Sequence, residues 1–306
     1  MKSLLFIGGT GFLGQSFFDY INEGHLKTLK LSQIIIISRK LKKIKSKIKI
    51  KFIKKNIKNI KKIPVTDFII YGANSSNNKE NLDGFYNFKN LLTKKHLNTK
   101  ILFTSSGAVY GTRKIKKKMK ENDSLSITNI NKFRGYKKNY AKTKIILENE
   151  FKTLSKKGFN VSIARLFSFI GKRVLINKNF AITDLINQAK NQKKTTINLY
   201  DNRHVYRGYM DSKDLIKWLV KILINSNKEC KIFNVGSDEV VTIKKLAKLI
   251  SQRYNKQVKY NYKFTLLKNN KNIDYYVPSI LKAKKKLNLK LSYNFNKSLN
   301  YLIKNF

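Results

Sequence analysis

The chain has 306 residues, of which 42% are hydrophobic, and it carries a formal net charge of +49 at pH 7. This apolar content excludes a disordered or fibrous chain, and the length exceeds what one core usually fills, so we expect two domains. The single cysteine, Cys230, excludes a disulfide framework and a zinc site of several thiolates, which is consistent with a reducing, cytoplasmic location.

The first half of the chain alternates buried strands with amphipathic helices. Its predicted strands are residues 3–7, 34–37, 50–53, 67–71, 100–104 and 160–165, and its predicted helices are residues 12–21, 81–95 and 136–154. Most of these strands are apolar or β-branched throughout, which is typical of a parallel sheet that is covered on both faces. The alternation therefore predicts an open α/β fold with right-handed crossovers.

A glycine-rich turn, GGTGFLG at residues 8–14, lies between the first predicted strand and the first predicted helix. Glycines here let the backbone turn sharply and approach a pyrophosphate, whose charge is met by the amides and the dipole at the helix N-terminus. The alternative is a tight turn without a ligand, which this context disfavours. The predicted contacts to a dinucleotide are Gly8, Gly11, Phe12, Leu13 and Gly14, of which Gly14 also permits close packing of the helix on the strand.

The end of the second strand, Ser38-Arg39-Lys40, bears on the choice between NAD and NADP. An acidic side chain at this place bonds the ribose 2′-hydroxyl of NAD, whereas an arginine accommodates the 2′-phosphate of NADP. The segment has no carboxylate. The sequence therefore favours NADP(H), bound through Arg39, and leaves NAD(H) as the alternative.

The excess of positive charge raises the question of a nucleic-acid or membrane partner. The chain has 58 lysines but 8 arginines, and the lysines accompany many Asn and Ile residues along its whole length, as a bias towards A/T-rich codons would produce. In the densest basic stretch, residues 40–62, Lys alternates in places with Ile or Phe, which indicates the solvated face of a strand. We therefore predict no specific nucleic-acid partner.

No apolar run reaches the ~18 residues of a spanning helix, and Gly8 interrupts the apolar start too soon for a signal peptide. We therefore expect no membrane association.

Pairs of tyrosine and lysine four residues apart are candidate catalytic groups, because on a helix the ammonium lowers the pKa of the phenol beside it. The chain has four such pairs, close to the number expected by chance, so the spacing alone identifies none of them. Placement selects Tyr140 and Lys144, near the start of the long helix after the strand that ends at Thr104. Since ligands bind at the carboxyl ends of parallel strands, a hydroxyl of Ser105 or Ser106 is expected at the same substrate oxygen.

After about residue 171 the pattern changes to shorter elements. The predicted helices are residues 181–190, 211–224 and 243–254 with two short C-terminal ones, and the predicted strands are residues 196–200 and 232–235. We predict a Rossmann-type NAD(P)-binding domain, a doubly wound parallel sheet, over residues 1–170. A smaller C-terminal α/β substrate domain is predicted over residues 171–306. No Pro/Gly/Ser-rich linker separates the two, so we expect part of the second to pack back on the first sheet.

Together these segments resemble the extended short-chain dehydrogenases/reductases of the NAD-dependent epimerase/dehydratase family, which act on nucleotide sugars. The resemblance runs nearly end to end through YGA at 71–73, NLDG at 81–84, TSSGAVYG at 104–111, YAKTK at 140–144, RLFSFIG at 165–171, RGYM at 207–210 and FNVGS at 233–237. It implies an enzyme whose catalytic residues are Ser106, Tyr140 and Lys144, with Lys144 also holding the nicotinamide ribose. It further implies that Ala73 belongs to the cofactor site and that Arg207 holds the diphosphate of a nucleotide-sugar substrate.

Departures from the family pattern limit the choice of reaction, since the family's 4,6-dehydratases have an Asp-Glu pair directly after the catalytic hydroxyl and this chain has Gly107 and Ala108 there. The usual Asn that contacts the substrate diphosphate is replaced by Ser168, which we keep in the predicted substrate site. We predict a 4-keto reductase or a 4-epimerase, with reduction favoured by the predicted use of NADP(H). The alternatives are a 4,6-dehydratase and a non-catalytic dinucleotide-binding protein with a basic nucleic-acid-binding surface. A homodimer is compatible with the sequence.

Overall fold

The computed structural model describes residues 2–26, 29–111, 113–125, 130–131, 133, 135–176, 180–200, 204–261 and 273–305. Within these ranges the strands are β1 (Lys2–Ile7), β2 (Leu31–Ser38), β3 (Lys49–Lys54), β4 (Phe68–Tyr71), β5 (Lys100–Ser106), β6 (Asn160–Leu166), β7 (Phe169–Ile170), β8 (Thr196–Leu199), β9 (His204–Arg207), β10 (Met210–Asp211), β11 (Lys231–Val235), β12 (Val241–Thr242), β13 (Gln257–Tyr260) and β14 (Ile273–Tyr276). The α-helices are α1 (Phe12–Asn22), α2 (Asn78–Leu91), α3 (Tyr136–Lys156), α4 (Ala181–Lys190), α5 (Ser212–Ile224), α6 (Ile243–Arg253), α7 (Leu281–Leu287) and α8 (Phe295–Lys304).

Seven of these strands form one parallel sheet in the order β11–β6–β5–β4–β1–β2–β3. The order reverses beside β1, because the chain adds β2 and β3 on one side of it and β4, β5 and β6 on the other. Ile7, the last residue of β1, is in register with Ile37 of β2 and Tyr71 of β4, so the residues that follow these strands meet at one edge. A crevice outside the carboxyl ends of strands at such a reversal is where open α/β sheets bind ligands.

Helices cover both faces of this sheet, as its apolar strands require. On one face, α1 and α5 contribute the buried rings of Phe17 and Trp218. On the other, α2 and α3 contribute Phe85, Phe88 and Phe151. Each such ring stabilises the fold by about 2 kcal/mol relative to an exposed one. The predicted doubly wound, Rossmann-type fold is confirmed.

Two element boundaries differ from prediction in places that matter for the site. β5 continues to Ser106, beyond the predicted end at Thr104, because its pairing with β6 extends that far. α2 begins before the predicted start at residue 81, because Asn77 caps the helix by accepting a hydrogen bond from the backbone N–H of Glu80 at 3.2 Å.

The chain after β6 builds smaller sheets and returns to the main one. β8 pairs with β13, β7 pairs with β10, and β9 lies between β12 and β14. Their apolar cluster includes Ile186, Ile197, Leu246 and Leu299. β11 joins the main sheet beside β6, so this region contributes to both parts of the structure. Of the helices within the described ranges, none is long and apolar enough to cross a membrane.

Candidate active site

A large cleft opens at the carboxyl edge of the main sheet. It has a volume of about 2010 Å³ and is lined by the ends of β1, β2, β4 and β5, by α3, and by β9 and β14 from the C-terminal region. Pockets for one small ligand have volumes of roughly 300–1,000 Å³, so this cleft has room for two ligands side by side.

The glycine-rich turn forms part of the cleft wall. Gly8 has a φ of +83°, a left-handed conformation that favours glycine. A Cβ on Gly8 would lie 2.8 Å from the backbone of Ala73, so glycine lets the ends of β1 and β4 approach this closely. Gly11 then caps α1, and Phe12 and Leu13 of its first turn line the cleft. Because the first N–H groups of a helix have no intrahelical partners, this place is suited to an anion such as a pyrophosphate.

Gly14, the last glycine of the motif, acts through packing. A Cβ on Gly14 would lie 1.9 Å from the carbonyl oxygen of Gly9, so glycine is needed for α1 to approach the preceding turn. Gly14 is not among the described residues that line the cleft. Gly14 therefore allows α1 to pack closely against the turn, and it does not itself line the cleft.

The end of β2 brings Arg39 to the cleft, where it meets a carboxylate that the local sequence does not show. Nη1 of Arg39 donates to Oε2 of Glu80 in the first turn of α2 at 2.9 Å. Asn56, which follows β3, donates from Nδ2 to Oε1 of Glu80 at 2.5 Å. Hydrogen bonds from Ser75, Asn56 and Arg39 hold the pKa of Glu80 below its usual range. The segment 38–40 itself has no carboxylate, but α2 supplies one to Arg39 from outside it.

β5 and α3 bring the three predicted catalytic side chains to the wall of the cleft. Ser106 ends β5 and is 9% exposed, whereas Tyr140 is half-buried on the second turn of α3. Nζ of Lys144 donates to the backbone oxygen of Thr104 at 3.1 Å and lies 5.6 Å from the centroid of the Tyr140 ring. Ser106 is close enough to the hydroxyl of Tyr140 to oppose the effect of burial on its pKa. A hydroxyl, a phenol and an amine thus share one wall.

The pKa of Tyr140 differs from the value that a neighbouring lysine would lead us to expect. Burial raises the pKa of Tyr140 to about 12, and the neighbouring Ser106 opposes this shift only in part. Burial also lowers the pKa of Lys144 to about 8, an effect that the nearby Glu148 opposes. Burial of the phenol therefore raises the pKa of Tyr140, whereas the lysine one turn away was predicted to lower it.

Tyr276, on β14, is a residue of the cleft that sequence reasoning missed. Its hydroxyl interacts with Ser106 and donates to the backbone oxygen of Leu166 at 3.4 Å. A Cβ on Gly107 would lie 2.7 Å from this hydroxyl and 2.7 Å from the ring of Phe167. The space that a longer side chain at position 107 would need is thus already filled. No local motif marks Tyr276, since it reaches the site from the C-terminal region.

A buried ion pair fixes α3 on the sheet. Glu148, one turn beyond Lys144, accepts a hydrogen bond from Arg165 of β6 at 2.8 Å, and their side chains are 0% and 2% exposed. Ser105 donates to the same carboxylate at 2.6 Å, which ties β5 to α3 as well. Arg165 also donates to the hydroxyl of Tyr110 at 2.8 Å. Tyr110, which belongs to another of the four Tyr–Lys pairs, is therefore part of this buried network.

Arg207 of β9 and Ser168, which follows β6, also line the cleft. Nη2 of Arg207 donates to Oδ2 of Asp274 on β14 at 2.9 Å, and the centre of its guanidinium lies 5.5 Å from the ring of Tyr276. Nη1 of Arg207 also donates to the backbone oxygens of Tyr206 at 2.9 Å and Asp274 at 3.1 Å, so both Nη atoms are engaged. With these two residues, every predicted site residue other than Gly14 lines the same cleft.

Comparison with known proteins places the chain among enzymes of related fold. The family model for the NAD dependent epimerase/dehydratase family matches residues 4–236. The dTDP-glucose 4,6-dehydratase of Bacillus anthracis str. Ames, solved in complex with NAD, has a TM-score of 0.77 and 18% identity, with 99% of this chain and 96% of that chain covered.

Two further solved structures show the same likeness. The UDP-N-acetylglucosamine 4-epimerase of Bacillus cereus has a TM-score of 0.71 and 18% identity, with 100% of this chain and 96% of that chain covered. A double mutant of the dTDP-glucose 4,6-dehydratase DesIV from Streptomyces venezuelae, with NAD and DAU bound, has a TM-score of 0.76 and 14% identity over 98% of this chain and 95% of that chain. At these identities the likeness is one of fold.

Proposed function

Because the chain belongs to the NAD-dependent epimerase/dehydratase family, a family of enzymes, we propose that it transfers a hydride between NAD(P) and C4 of the sugar in a nucleotide sugar. The observation that carries this proposal is the convergence of Ser106, Tyr140 and Lys144 on the cleft that the glycine-rich turn also lines. A volume of about 2010 Å³ is sufficient for a dinucleotide and a nucleotide sugar together.

The residues at the reversal of strand order fit a dinucleotide. A Cβ on Gly8 would meet the backbone of Ala73, so glycine brings the ends of β1 and β4 together beside the place that we assign to the pyrophosphate. In this proposal the first turn of α1, with Gly11, Phe12 and Leu13, binds the pyrophosphate. Arg39 contacts the adenosine ribose and Lys144 holds the nicotinamide ribose. When bound, the nicotinamide supplies or accepts the hydride.

Tyr140 is the group that we propose moves the proton. With a pKa of about 12, its phenol is protonated at neutral pH and can donate to the oxygen of a 4-keto group. Ser106 donates a second hydrogen bond to the same oxygen and stabilises the negative charge that develops there. Lys144 is an ammonium below about pH 8 and favours the phenolate that Tyr140 leaves after it has donated its proton.

The surroundings of Gly107 bear on which reaction follows at C4. The 4,6-dehydratases of the family carry a carboxylate directly after the catalytic hydroxyl, but a side chain at position 107 would clash with Phe167 and Tyr276. Ala108 has no carboxylate either. We therefore favour 4-keto reduction, in which Tyr140 gives its proton to the C4 oxygen as the hydride arrives, or 4-epimerisation, in which the Tyr140 phenolate first takes the proton of the C4 hydroxyl as the hydride leaves and then returns it.

The C-terminal region supplies the groups that we assign to the substrate. Arg207 and Ser168 line the cleft and are proposed to bind the diphosphate of the nucleotide sugar. Residues 171–306, which carry Arg207 and Tyr276, then form the substrate region, and residues 1–170 form the cofactor domain. A cytoplasmic location and a homodimer stay predictions from the sequence.

The test incubates the purified protein with NAD(H) or NADP(H) and a panel of UDP- and dTDP-linked hexoses and their 4-keto forms. Proton NMR identifies the products, and the absorbance of the reduced nicotinamide follows net oxidation. Oxidation of NAD(P)H in the presence of a 4-keto sugar supports a reductase. Exchange of C4 epimers without net oxidation or reduction of the nicotinamide supports an epimerase. A 4-keto-6-deoxy product, or a protein that binds no dinucleotide, contradicts the proposal.

A further inference from the structure

Arg39 and Glu80 form an ion pair at the cleft wall that joins two elements distant in sequence. Nη1 of Arg39 lies 2.9 Å from Oε2 of Glu80 and 3.5 Å from Oγ of Ser75. The side chain of Arg39 is 52% exposed, whereas that of Glu80 is 20% exposed. Glu80 is therefore the more enclosed partner, and Arg39 is the partner that can turn towards a ligand.

Two asparagines hold Glu80, one at its carboxylate and one at its backbone. Asn56 donates to its second oxygen at 2.5 Å and itself caps the short turn that follows β3. Asn77, the N-cap of α2, accepts from the backbone N–H of Glu80 at 3.2 Å. Glu80 is thus held at its carboxylate by the residue that follows β3 and at its backbone by the N-cap of α2.

We propose that Glu80 weakens the selectivity of this site for NADP(H) by competing with the 2′-phosphate for Arg39. The inference rests on the proposed function, since it needs a dinucleotide whose adenosine ribose lies at the end of β2. A 2′-phosphate must displace the carboxylate from the guanidinium and then lies beside its negative charge. A 2′-hydroxyl is neutral and can donate a hydrogen bond to the carboxylate.

The ion pair changes what Arg39 contributes to cofactor choice. An arginine without a partner favours NADP(H), but one that is held by a fixed carboxylate loses part of that preference, so the wild-type protein discriminates little between the two dinucleotides. Lys40, Lys42 and Lys55 also line this wall. Their positive field attracts any phosphate of either dinucleotide without selecting the 2′ position.

The test compares the Kd values for NAD+ and NADP+ of the wild-type protein and of Glu80→Gln, measured by titration calorimetry. Glutamine keeps the shape of the side chain and removes its charge. We expect Glu80→Gln to bind NADP+ about tenfold more tightly and NAD+ with an affinity within about twofold of the wild type. Thermal melting checks that each variant is folded.

Glu150→Gln is the matched control for loss of one charge. Glu150 pairs with Lys89 at 2.6 Å, and its side chain is 24% exposed, close to the exposure of Glu80. Glu150 is outside the set of described residues that line the cleft. Its replacement should leave the ratio of the NAD+ and NADP+ affinities unchanged.

A double-mutant cycle with Arg39→Gln tests whether the effect of Glu80 on NADP+ affinity depends on Arg39. Competition for the guanidinium predicts that the gain in NADP+ affinity falls to about twofold or less when Arg39 is already replaced. An unchanged affinity ratio in Glu80→Gln, or a full gain in the Arg39→Gln background, overturns the inference while the proposed function stands. A folded wild-type protein that binds neither dinucleotide contradicts the proposed function and this inference together.

Discussion

The hydroxyl of Tyr276 lies 2.7 Å from the position that a Cβ on Gly107 would occupy. Tyr276 belongs to β14 and Gly107 directly follows β5, so this contact joins the C-terminal region to the residue next to Ser106. The ring of Phe167 fills the same space, also at 2.7 Å. The cleft wall beside Ser106 therefore carries a second phenol, and it leaves no space for a longer side chain at position 107.

We predict that Gly107→Ala lowers the free energy of unfolding by about 1–3 kcal/mol, because the added methyl group forces Phe167 and Tyr276 to move. Denaturant titration measures the change. In the Tyr276→Phe background the same substitution should cost at least about 0.5 kcal/mol less, since one of the two contacts is relieved. Additive losses in the double variant would show that Gly107 and Tyr276 are not in close contact.

We predict that Lys144→Met stabilises the fold near neutral pH. Burial lowers the pKa of Lys144 from 10.5 to about 8, so the folded state disfavours the ammonium form. This cost is present in full below the folded-state pKa and is lost as the pH rises to the unfolded-state value. The variant should therefore gain about 1 kcal/mol at neutral pH and less near the ordinary lysine pKa.

Urea titrations of both proteins at a neutral and an alkaline pH measure this gain. The wild-type protein itself should become more stable as the pH rises from about 8 towards 10.5, because the unfolded chain then binds the extra proton. A gain in Lys144→Met that is the same at both pH values would assign the effect to packing and contradict the charge-based reason.

The fold could be predicted from the sequence because its signals are local. Buried strands such as β2 and β4 are short runs of apolar or β-branched residues, and the glycine-rich turn marks the first strand-to-helix junction. Residues at or just after the end of a strand, such as Ser106 and Gly8, can therefore be assigned to the carboxyl edge of the sheet from the sequence alone.

The rest of the site depends on packing between elements that are distant in the chain. Glu80 reaches Arg39 only because α2 begins beside the end of β2, and Tyr276 reaches Ser106 only because β14 pairs with β9. The raised pKa of Tyr140 has the same origin, since it follows from burial, and a Tyr–Lys spacing in the sequence carries no information on burial.

We predict that the net charge of +49 gives weak, sequence-independent binding to DNA that is lost by physiological salt. Part of the basic stretch at residues 40–62 forms the edge strand β3, in which Lys49, Lys51 and Lys54 are exposed. Phe52, the aromatic residue of this strand, is half-buried against the core and does not offer a free stacking surface. Salt titration of a labelled oligonucleotide measures the binding. Stable binding at physiological salt that Lys→Glu changes in β3 abolish would favour the nucleic-acid alternative.

Replacement of Tyr140 by phenylalanine tests the proposed chemistry at its reacting atom. Because only the proton-donating hydroxyl is removed, kcat should fall by at least about 100-fold while the Kd for the dinucleotide stays within about twofold of the wild type. Tyr110→Phe is the matched control, since the hydroxyl of Tyr110 bonds Arg165 and Asn234 in the interior. That variant should lose about 1–3 kcal/mol of stability and keep most of its turnover.

Turnover of a nucleotide sugar by these two variants, measured side by side at equal folded concentration, separates the two roles. Turnover that is lost in Tyr140→Phe and kept in Tyr110→Phe is the result that catalysis by Ser106, Tyr140 and Lys144 requires. Turnover near the wild-type level in Tyr140→Phe, or equal losses in both variants, would contradict it.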